Sequence, residues 1–153
     1  MNIPAFLDER QCWYERVPHP PTYSAQRLAQ ALHVRGREVA KTVLLRANRN
    51  GGQHFVVAVL PATKQIDFDR TAKVIGGRIQ LATEVEIAEH CPDCEFGVLP
   101  PFGSHYGMKT IVDSSLADDE EIWFEGNTHN EAVRMKFDDF QQLEKPQVAP
   151  FAC

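Results

Sequence analysis

The hydrophobic positions of this chain change repeatedly between the spacing of a helix and the spacing of a strand. Apolar residues recur three and four positions apart in 25–32, behind Ser24, and in 68–75, behind Asp67, which predicts two helices with those residues as N-caps. Thr83 and Glu86 form a Thr-x-x-Glu capping box, which predicts a third helix ending near His90. A short helix over 138–143, followed by a tail, completes the helical pattern.

Short apolar runs predict the strands. They cover 42–47 and 54–60, joined as a hairpin by a polar loop, and then 78–81, 110–113, 122–124 and an alternating run over 133–137. Trp13 and Tyr14 are predicted to lie in a first strand within residues 1–17. Because strands outnumber helices and arrive both in hairpin pairs and singly, we expect a mixed α/β fold. Its mixed sheet should curl into a partial barrel, with the helices packed outside.

Length, composition and charge narrow the class of protein. The chain has 153 residues, 43% of them hydrophobic and 24% charged, which predicts a single domain over 1–153. It has no apolar run of membrane-spanning length, and residues 1–10 lack the features of a signal peptide, so we expect a cytoplasmic protein without a membrane partner. A net charge of −5 argues against a broad nucleic-acid footprint, including DNA, but allows a pocket for one end of an RNA.

The cysteines leave a second chemistry open. Cys91 and Cys94 form a Cys-x-x-Cys pair, whereas Cys12 and Cys153 lie near the two chain ends. A zinc site would need a second pair at similar spacing, and a thioredoxin-like site would need the pair to open a helix rather than follow one. We therefore expect reduced thiols at a helix end, and neither a metal nor another cofactor.

A segment rich in glycine and proline is the most informative part of the chain. Residues 96–103 read Phe-Gly-Val-Leu-Pro-Pro-Phe-Gly, so the backbone is free at both ends and locked in the middle. Such a stiff loop suits backbone N–H groups that point at a ligand. Since Pro100 and Pro101 have no N–H, these donors must lie on Gly97, Val98 and Leu99.

Several motifs occur in a fixed order around this loop. They are His-Pro-Pro-Thr at 19–22, Ala-Lys-Thr-Val-Leu-Leu at 40–45, Ala-Thr-Glu-x-Glu at 82–86, Gly-x-x-Pro-Pro-Phe-Gly at 97–103, a strand ending at Asp113, and Phe-x-Gly-x-x-His at 124–129. Over residues 17–143 the chain resembles the YbaK/ProX family of aminoacyl-tRNA deacylases, relatives of the prolyl-tRNA synthetase editing domain. The resemblance implies a mixed α/β fold with a partial barrel. It also implies hydrolysis of the ester between a wrong amino acid and the 3′ end of a tRNA. Neither a metal nor a Ser or Cys nucleophile is implied, and the substrate's own ribose hydroxyl assists.

The same resemblance implies the site residues. Lys41, Gly97 and His129 are the expected catalytic residues, with Lys41 as a point charge for the terminal phosphate or the ester. His129 could work as an acid or base, hold the substrate by a hydrogen bond, or simply occupy a turn. The expected substrate-binding residues are Pro20, Thr22, Tyr23, Val98, Leu99, Pro100, Pro101, Phe102 and Gly126. Of the aromatic residues, Phe102 is best placed to stack on the terminal adenine.

The implied partner is a mischarged tRNA, gripped at its acceptor 3′ end. Because the acidic chain has little to hold the tRNA body, either its affinity is low or an aminoacyl-tRNA synthetase delivers the substrate. Two other hypotheses stay open: a non-catalytic module of the same fold that binds an aminoacyl or nucleotide-like ligand, and a metal or thiol-redox protein built on Cys91 and Cys94. Asp113 is expected to cap a turn rather than to act in the site.

Overall fold

The computed structural model describes residues 1–95 and 97–153, so Phe96 of the Gly/Pro segment lies outside the described residues. Over these residues the helices are α1 (Ile3–Glu9), α2 (Ala25–Leu32), α3 (Phe68–Ile75), α4 (Glu84–His90) and α5 (Phe137–Glu144). The strands are β1 (Tyr14–Pro18), β2 (Ala40–Arg49), β3 (Gly52–Pro61), β4 (Arg78–Leu81), β5 (Lys109–Asp113), β6 (Glu121–Thr128), β7 (Glu131–Lys136) and β8 (Gln147–Ala149). No helix in this part of the chain is long and apolar enough to cross a lipid bilayer.

The strands form two sheets, which corrects the expectation of one sheet curled into a partial barrel. The first sheet is antiparallel, with the order β1-β7-β6, and the second has the order β4-β2-β3-β5-β8. In the second sheet β2 runs antiparallel to β3 and β4, whereas β5 runs parallel to β3 and β8. The mixed α/β class is confirmed. Each sheet contributes an apolar face to one shared core, and neither closes on itself among the described residues.

The helices and the core follow from the apolar faces of the strands. The core between the sheets contains Phe102, whose ring packs edge-to-face against Phe124 at 5.9 Å and Phe140 at 5.4 Å between centroids. Helix α2 packs through Leu28 and Ala29 against the outer face of the first sheet. Helix α3 covers the outer face of the second sheet. The predicted placement of helices outside the sheets is therefore confirmed for α2 and α3.

The predicted helix starts are also confirmed. Ser24 accepts a hydrogen bond from the Arg27 amide at 3.1 Å, and Asp67 accepts one from the Arg70 amide at 3.0 Å. Thr83 and Glu86 make both bonds of a capping box. These side chains satisfy amides that have no partner inside their own helices, which fixes where each helix begins.

The two chain ends are more ordered than the sequence pattern predicts. The pattern gives a strand within residues 1–17, but α1 precedes that strand and buries Ile3 and Leu7 completely. The predicted tail contains β8, and Phe151 beyond it is buried. Asp113 at the end of β5 accepts hydrogen bonds from the Phe151 and Ala152 amides at 3.0 and 2.9 Å, so its role in the fold includes holding this segment.

Candidate functional site

A small cavity of about 100 Å³, called the site cavity below, lies where four separate segments meet. It is lined by residues 22–25 and Leu28 around the start of α2, by residues 40–42 at the start of β2, and by residues 97–99 of the Gly/Pro loop. The remaining side is lined by Phe124 and Glu125 of β6 and by His129. Four of the six expected motifs thus contribute to one concave surface: those at 19–22, 40–45, 97–103 and 124–129.

Hydrogen bonds fasten the segment before α2 to the turn between β6 and β7. The amide of His19 donates to the Asn130 carbonyl at 2.9 Å, and the amide of Thr22 donates to the His129 carbonyl at 3.0 Å. The His129 ring returns a bond, because its Nδ1 lies 2.9 Å from the Thr22 carbonyl oxygen. The positions of Thr22 and His129 are therefore coupled.

These contacts determine which nitrogen of His129 carries the proton. A carbonyl oxygen can only accept, so Nδ1 carries a proton in this contact. Nε2 lies on the side of Gly97, where a β-carbon added to the glycine would come within 3.5 Å of it. The exposed Tyr23 ring packs on the imidazole at 4.6 Å between centroids. The ring is thus held in one orientation toward the loop.

The loop offers fewer backbone donors than the sequence predicts. The Val98 amide donates to the Glu95 carbonyl at 2.9 Å within a turn, so it is not available to a ligand, although Val98 does line the site cavity. The amides of Gly97 and Leu99 donate to no other residue in the described part of the chain. Gly97 has a φ of +79°, a conformation in which only glycine is free of strain. The loop can therefore present two amides from residues 97 and 99.

Lys41 is the second residue of β2 and lines the same cavity. Burial lowers the pKa of its ammonium group below the usual value. Among residues 1–95 and 97–153, no carboxylate forms an ion pair with Lys41. A partly buried cation without a counter-charge is well suited to bind an anionic group of a ligand.

Glu125 is a site residue that sequence reasoning missed. It lines the site cavity and accepts a hydrogen bond from the Thr22 hydroxyl at 3.1 Å, and its Oε2 lies 3.5 Å from His19 Nε2. Burial raises the pKa of this carboxyl, and the nearby His19, Thr22 and His129 partly offset that increase. A sequence signal existed: Ile122 and Phe124 point into the core, so strand alternation puts Glu125 on the opposite face, which carries the cavity.

Several expected substrate-binding residues lie away from the site cavity. Phe102 is completely buried among core phenylalanines, which rules out stacking on an adenine. Pro100 and Pro101 are also buried and outside the cavity lining, as is Gly126, where a β-carbon would come within 2.8 Å of Val133 Cγ2. Pro20 is exposed, and its carbonyl lies 2.8 Å from His19 Nδ1. These residues shape the fold around the cavity rather than its surface.

A second, apolar cavity of about 420 Å³ lies on the other side of the loop. The two cavities share Thr42 and residues 97–99, and Cys91 and Cys94 line the apolar one. A hydrogen bond between the two thiols lowers the pKa of Cys94 to about 7 and raises that of Cys91. Within the described ranges, no three His, Cys, Asp or Glu side chains come together as a metal site would require.

This chain is similar in sequence to proteins of known function. A family model of aminoacyl-tRNA editing domains matches residues 19–143. The multifunctional Ser/Thr-tRNA deacylase ProXp-y of Escherichia coli (strain K12) is 28% identical over 149 residues, which cover 96% of this chain and 89% of that protein.

Two crystal structures share the fold. One, of a hypothetical protein, has a TM-score of 0.88 at 19% identity over the full length of both chains. The other, of a candidate trans-editing enzyme for prolyl-tRNA synthetase, has a TM-score of 0.82 at 21% identity and covers 98% of this chain and 94% of its own. Because the family model spans most of the residues, the chain belongs to the family of aminoacyl-tRNA editing domains, which confirms its resemblance to the YbaK/ProX deacylases.

Proposed function

We propose that this aminoacyl-tRNA deacylase acts in trans, as a single editing domain over residues 1–153, on the 3′ end of mischarged tRNA. The observation that carries the proposal is the convergence of Lys41, the loop 97–99 and His129 on one cavity. The family resemblance assigns Lys41, Gly97 and His129 to catalysis, and Val98 and Leu99 to substrate binding. The E. coli relative is a Ser/Thr-tRNA deacylase by name, so seryl- and threonyl-tRNA are the first substrates to test.

The carbonyl oxygen of the ester accepts hydrogen bonds from the backbone amides of Gly97 and Leu99. Negative charge develops on this oxygen when the carbonyl carbon becomes tetrahedral, and preorganised backbone donors stabilise that charge without reorganisation. The positive φ of Gly97 supports the assignment, because it gives the loop a shape that a side chain would strain. Lys41 pairs with the phosphate of the terminal nucleotide, which fixes the ester over the two amides.

His129 and the substrate's ribose hydroxyl position the attacking water. The contact between Nδ1 and the Thr22 carbonyl holds the imidazole beside Gly97, which places the ring next to the ester. Water adds to the carbonyl carbon, the bond to the ribose oxygen breaks, and that oxygen takes up the proton that the attacking water loses. The products are the free amino acid and a tRNA with its terminal hydroxyl restored. No residue of the chain forms a covalent intermediate in this scheme, and no metal is required.

Deacylation assays on a panel of mischarged tRNAs test the proposal. Purified protein should hydrolyse at least one small aminoacyl-tRNA well above the uncatalysed rate, and EDTA should not change that rate. A substrate with a 2′-deoxy terminal adenosine should react far more slowly if the ribose hydroxyl assists. Binding without turnover across the whole panel, with and without synthetases, would instead favour the non-catalytic module.

A further inference from the structure

We propose that Glu125 binds the α-ammonium group of the aminoacyl ester and makes the enzyme select substrates with a free α-amino group. The inference rests on the proposed function, because it concerns the same bound ester. It adds a contact to the group that all aminoacyl-tRNAs share, whatever their side chain.

The lining of the site cavity supplies the first argument. Glu125 is the only acidic residue among the described residues that line it, whereas Lys41 is a cation and the loop presents N–H donors. A bound aminoacyl ester brings both a carbonyl oxygen and an ammonium group into the cavity. The oxygen matches the amides and the phosphate matches Lys41, which leaves Glu125 as the only group of opposite sign for the ammonium.

The second argument is distance. The α-nitrogen is separated from the carbonyl carbon by a single carbon atom, so both groups must lie in the same small cavity of about 100 Å³. Glu125 comes directly after Phe124 in β6, and His129 follows four residues later on the adjoining turn. An ester held between the loop 97–99 and His129 therefore has its ammonium group in the same cavity that Glu125 lines.

The third argument is how the carboxylate is held. The Thr22 hydroxyl donates to Oε1 at 3.1 Å, and His19 Nε2 lies 3.5 Å from Oε2 with its ring almost fully buried. His19 is in turn fixed by its Nδ1, 2.8 Å from the Pro20 carbonyl. About a fifth of the Glu125 side chain is exposed, whereas its Oε2 atom is buried and accepts no hydrogen bond from the described residues. The carboxylate is thus held by Thr22 at one oxygen, and an ammonium group in the cavity would supply the missing donor at the other.

The experiment compares two esters on two proteins. The substrates are an aminoacyl-tRNA that the enzyme hydrolyses and its α-hydroxy analogue, in which a hydroxyl replaces the amine without added bulk. Each enzymatic rate is divided by the uncatalysed rate, because the two esters differ in intrinsic reactivity. The proteins are the wild type and Glu125→Gln, which keeps the size of the side chain and an acceptor for Thr22. Glu15→Gln, an exposed acid on β1, is the matched control.

We expect the wild type and Glu15→Gln to prefer the amine ester by about 10- to 100-fold in kcat/KM, because a hydrogen bond to a charged group usually contributes a factor of that size. In Glu125→Gln the preference should fall to within about threefold, through a lower rate on the amine ester. A wild type with no preference, or a Glu125→Gln variant that keeps it, would overturn the inference and leave the deacylase function standing. Hydrolysis of neither ester would overturn both. If Glu125→Gln fails to fold, Glu125→Asp replaces it: the shorter side chain withdraws the carboxylate from the ligand and should narrow the preference, and an unchanged preference would overturn the inference.

Discussion

Replacement of Gly97 by alanine tests whether the loop acts through the shape of its backbone. At a φ of +79° an L-residue costs about 1–2 kcal/mol relative to glycine. The new β-carbon would also lie 3.3 Å from His129 Cε1 and 3.5 Å from Nε2. The first of these contacts is tighter than normal, so the imidazole or the loop must move by a few tenths of an ångström. The substitution thus has one effect on stability and a second on the site.

Gly107 provides a matched control for the backbone effect. Its φ is +72°, it is exposed, and a β-carbon there would meet nothing within 4 Å. Gly107→Ala therefore carries the same backbone strain without a contact to His129. For a chain of this size, 1 kcal/mol corresponds to about 2–4 °C in Tm. Both variants should melt about 2–8 °C below the wild type.

The two variants should differ in catalysis. A displacement of 1 Å in a reacting geometry costs about 100-fold in rate, so a shift of a few tenths of an ångström predicts about a tenfold loss of kcat/KM for Gly97→Ala. Gly107→Ala should stay within twofold of the wild type. The measurement is single-turnover deacylation at a temperature well below both melting points. Equal Tm losses with unchanged kinetics in both variants would show that the loop is only structural.

Three further predictions follow from the same contacts. Lys41→Ala should lower kcat/KM by about 100-fold with little change in Tm, and comparable activity would remove Lys41 from the site. A Cys91→Ser/Cys94→Ser double variant assayed with EDTA should keep full activity, whereas complete loss in a folded protein would show that the thiols take part in the chemistry. Asp113→Ala should lower stability by about 3 kcal/mol but leave kcat largely unchanged, because it leaves the Phe151 and Ala152 amides without their acceptor.

The effect of pH on the stability of Asp113→Ala gives a second test of the role of Asp113. Burial alone would raise the pKa of this carboxyl, but hydrogen bonds from Ser115, Ala152 and Phe151 outweigh burial and lower it. The folded-state pKa then lies below the unfolded value of about 3.9. The stabilisation is therefore complete above that value and is lost as the pH falls from it toward the folded-state pKa. The free energy of unfolding of Asp113→Ala should therefore fall less than that of the wild type as the pH is lowered, which denaturant titration at several pH values measures.

Local features of the fold could be predicted from the sequence because their causes are local. The cap residues Ser24, Asp67 and Thr83 each bond an amide three positions along the chain. The division into two sheets depends on pairing between distant segments, such as β1 with β7. Strand periodicity carries no information on the partner of a strand. The strand β8 could not be predicted for the same reason, because it has only three residues and is held in place by parallel pairing with β5.

The site shows a similar division between what motifs predict and what packing decides. Residue types with chemical functions, such as Lys41 and His129, could be identified from their motifs and do line one cavity. Phe102 could not be assigned correctly, because a phenylalanine next to a loop looks the same whether it faces solvent or, as here, the core. Glu125 was overlooked because no motif in the sequence marks an acid at that position. Only its place on the face of β6 opposite Phe124 reveals it.

The distribution of charge in the site suggests how an acidic protein can act on an RNA. The chain carries a net charge of −5, yet its site cavity holds Lys41 and two backbone donors beside a single carboxylate. A surface that attracts few phosphates gives little affinity for the tRNA body. In the proposed binding mode, recognition rests on the terminal nucleotide and the amino acid. Lys41 pairs with the phosphate, the two loop amides bind the carbonyl oxygen, and Glu125 binds the ammonium group. Such a site can clear many tRNAs that carry the same wrong amino acid, because it contacts the parts that those tRNAs share.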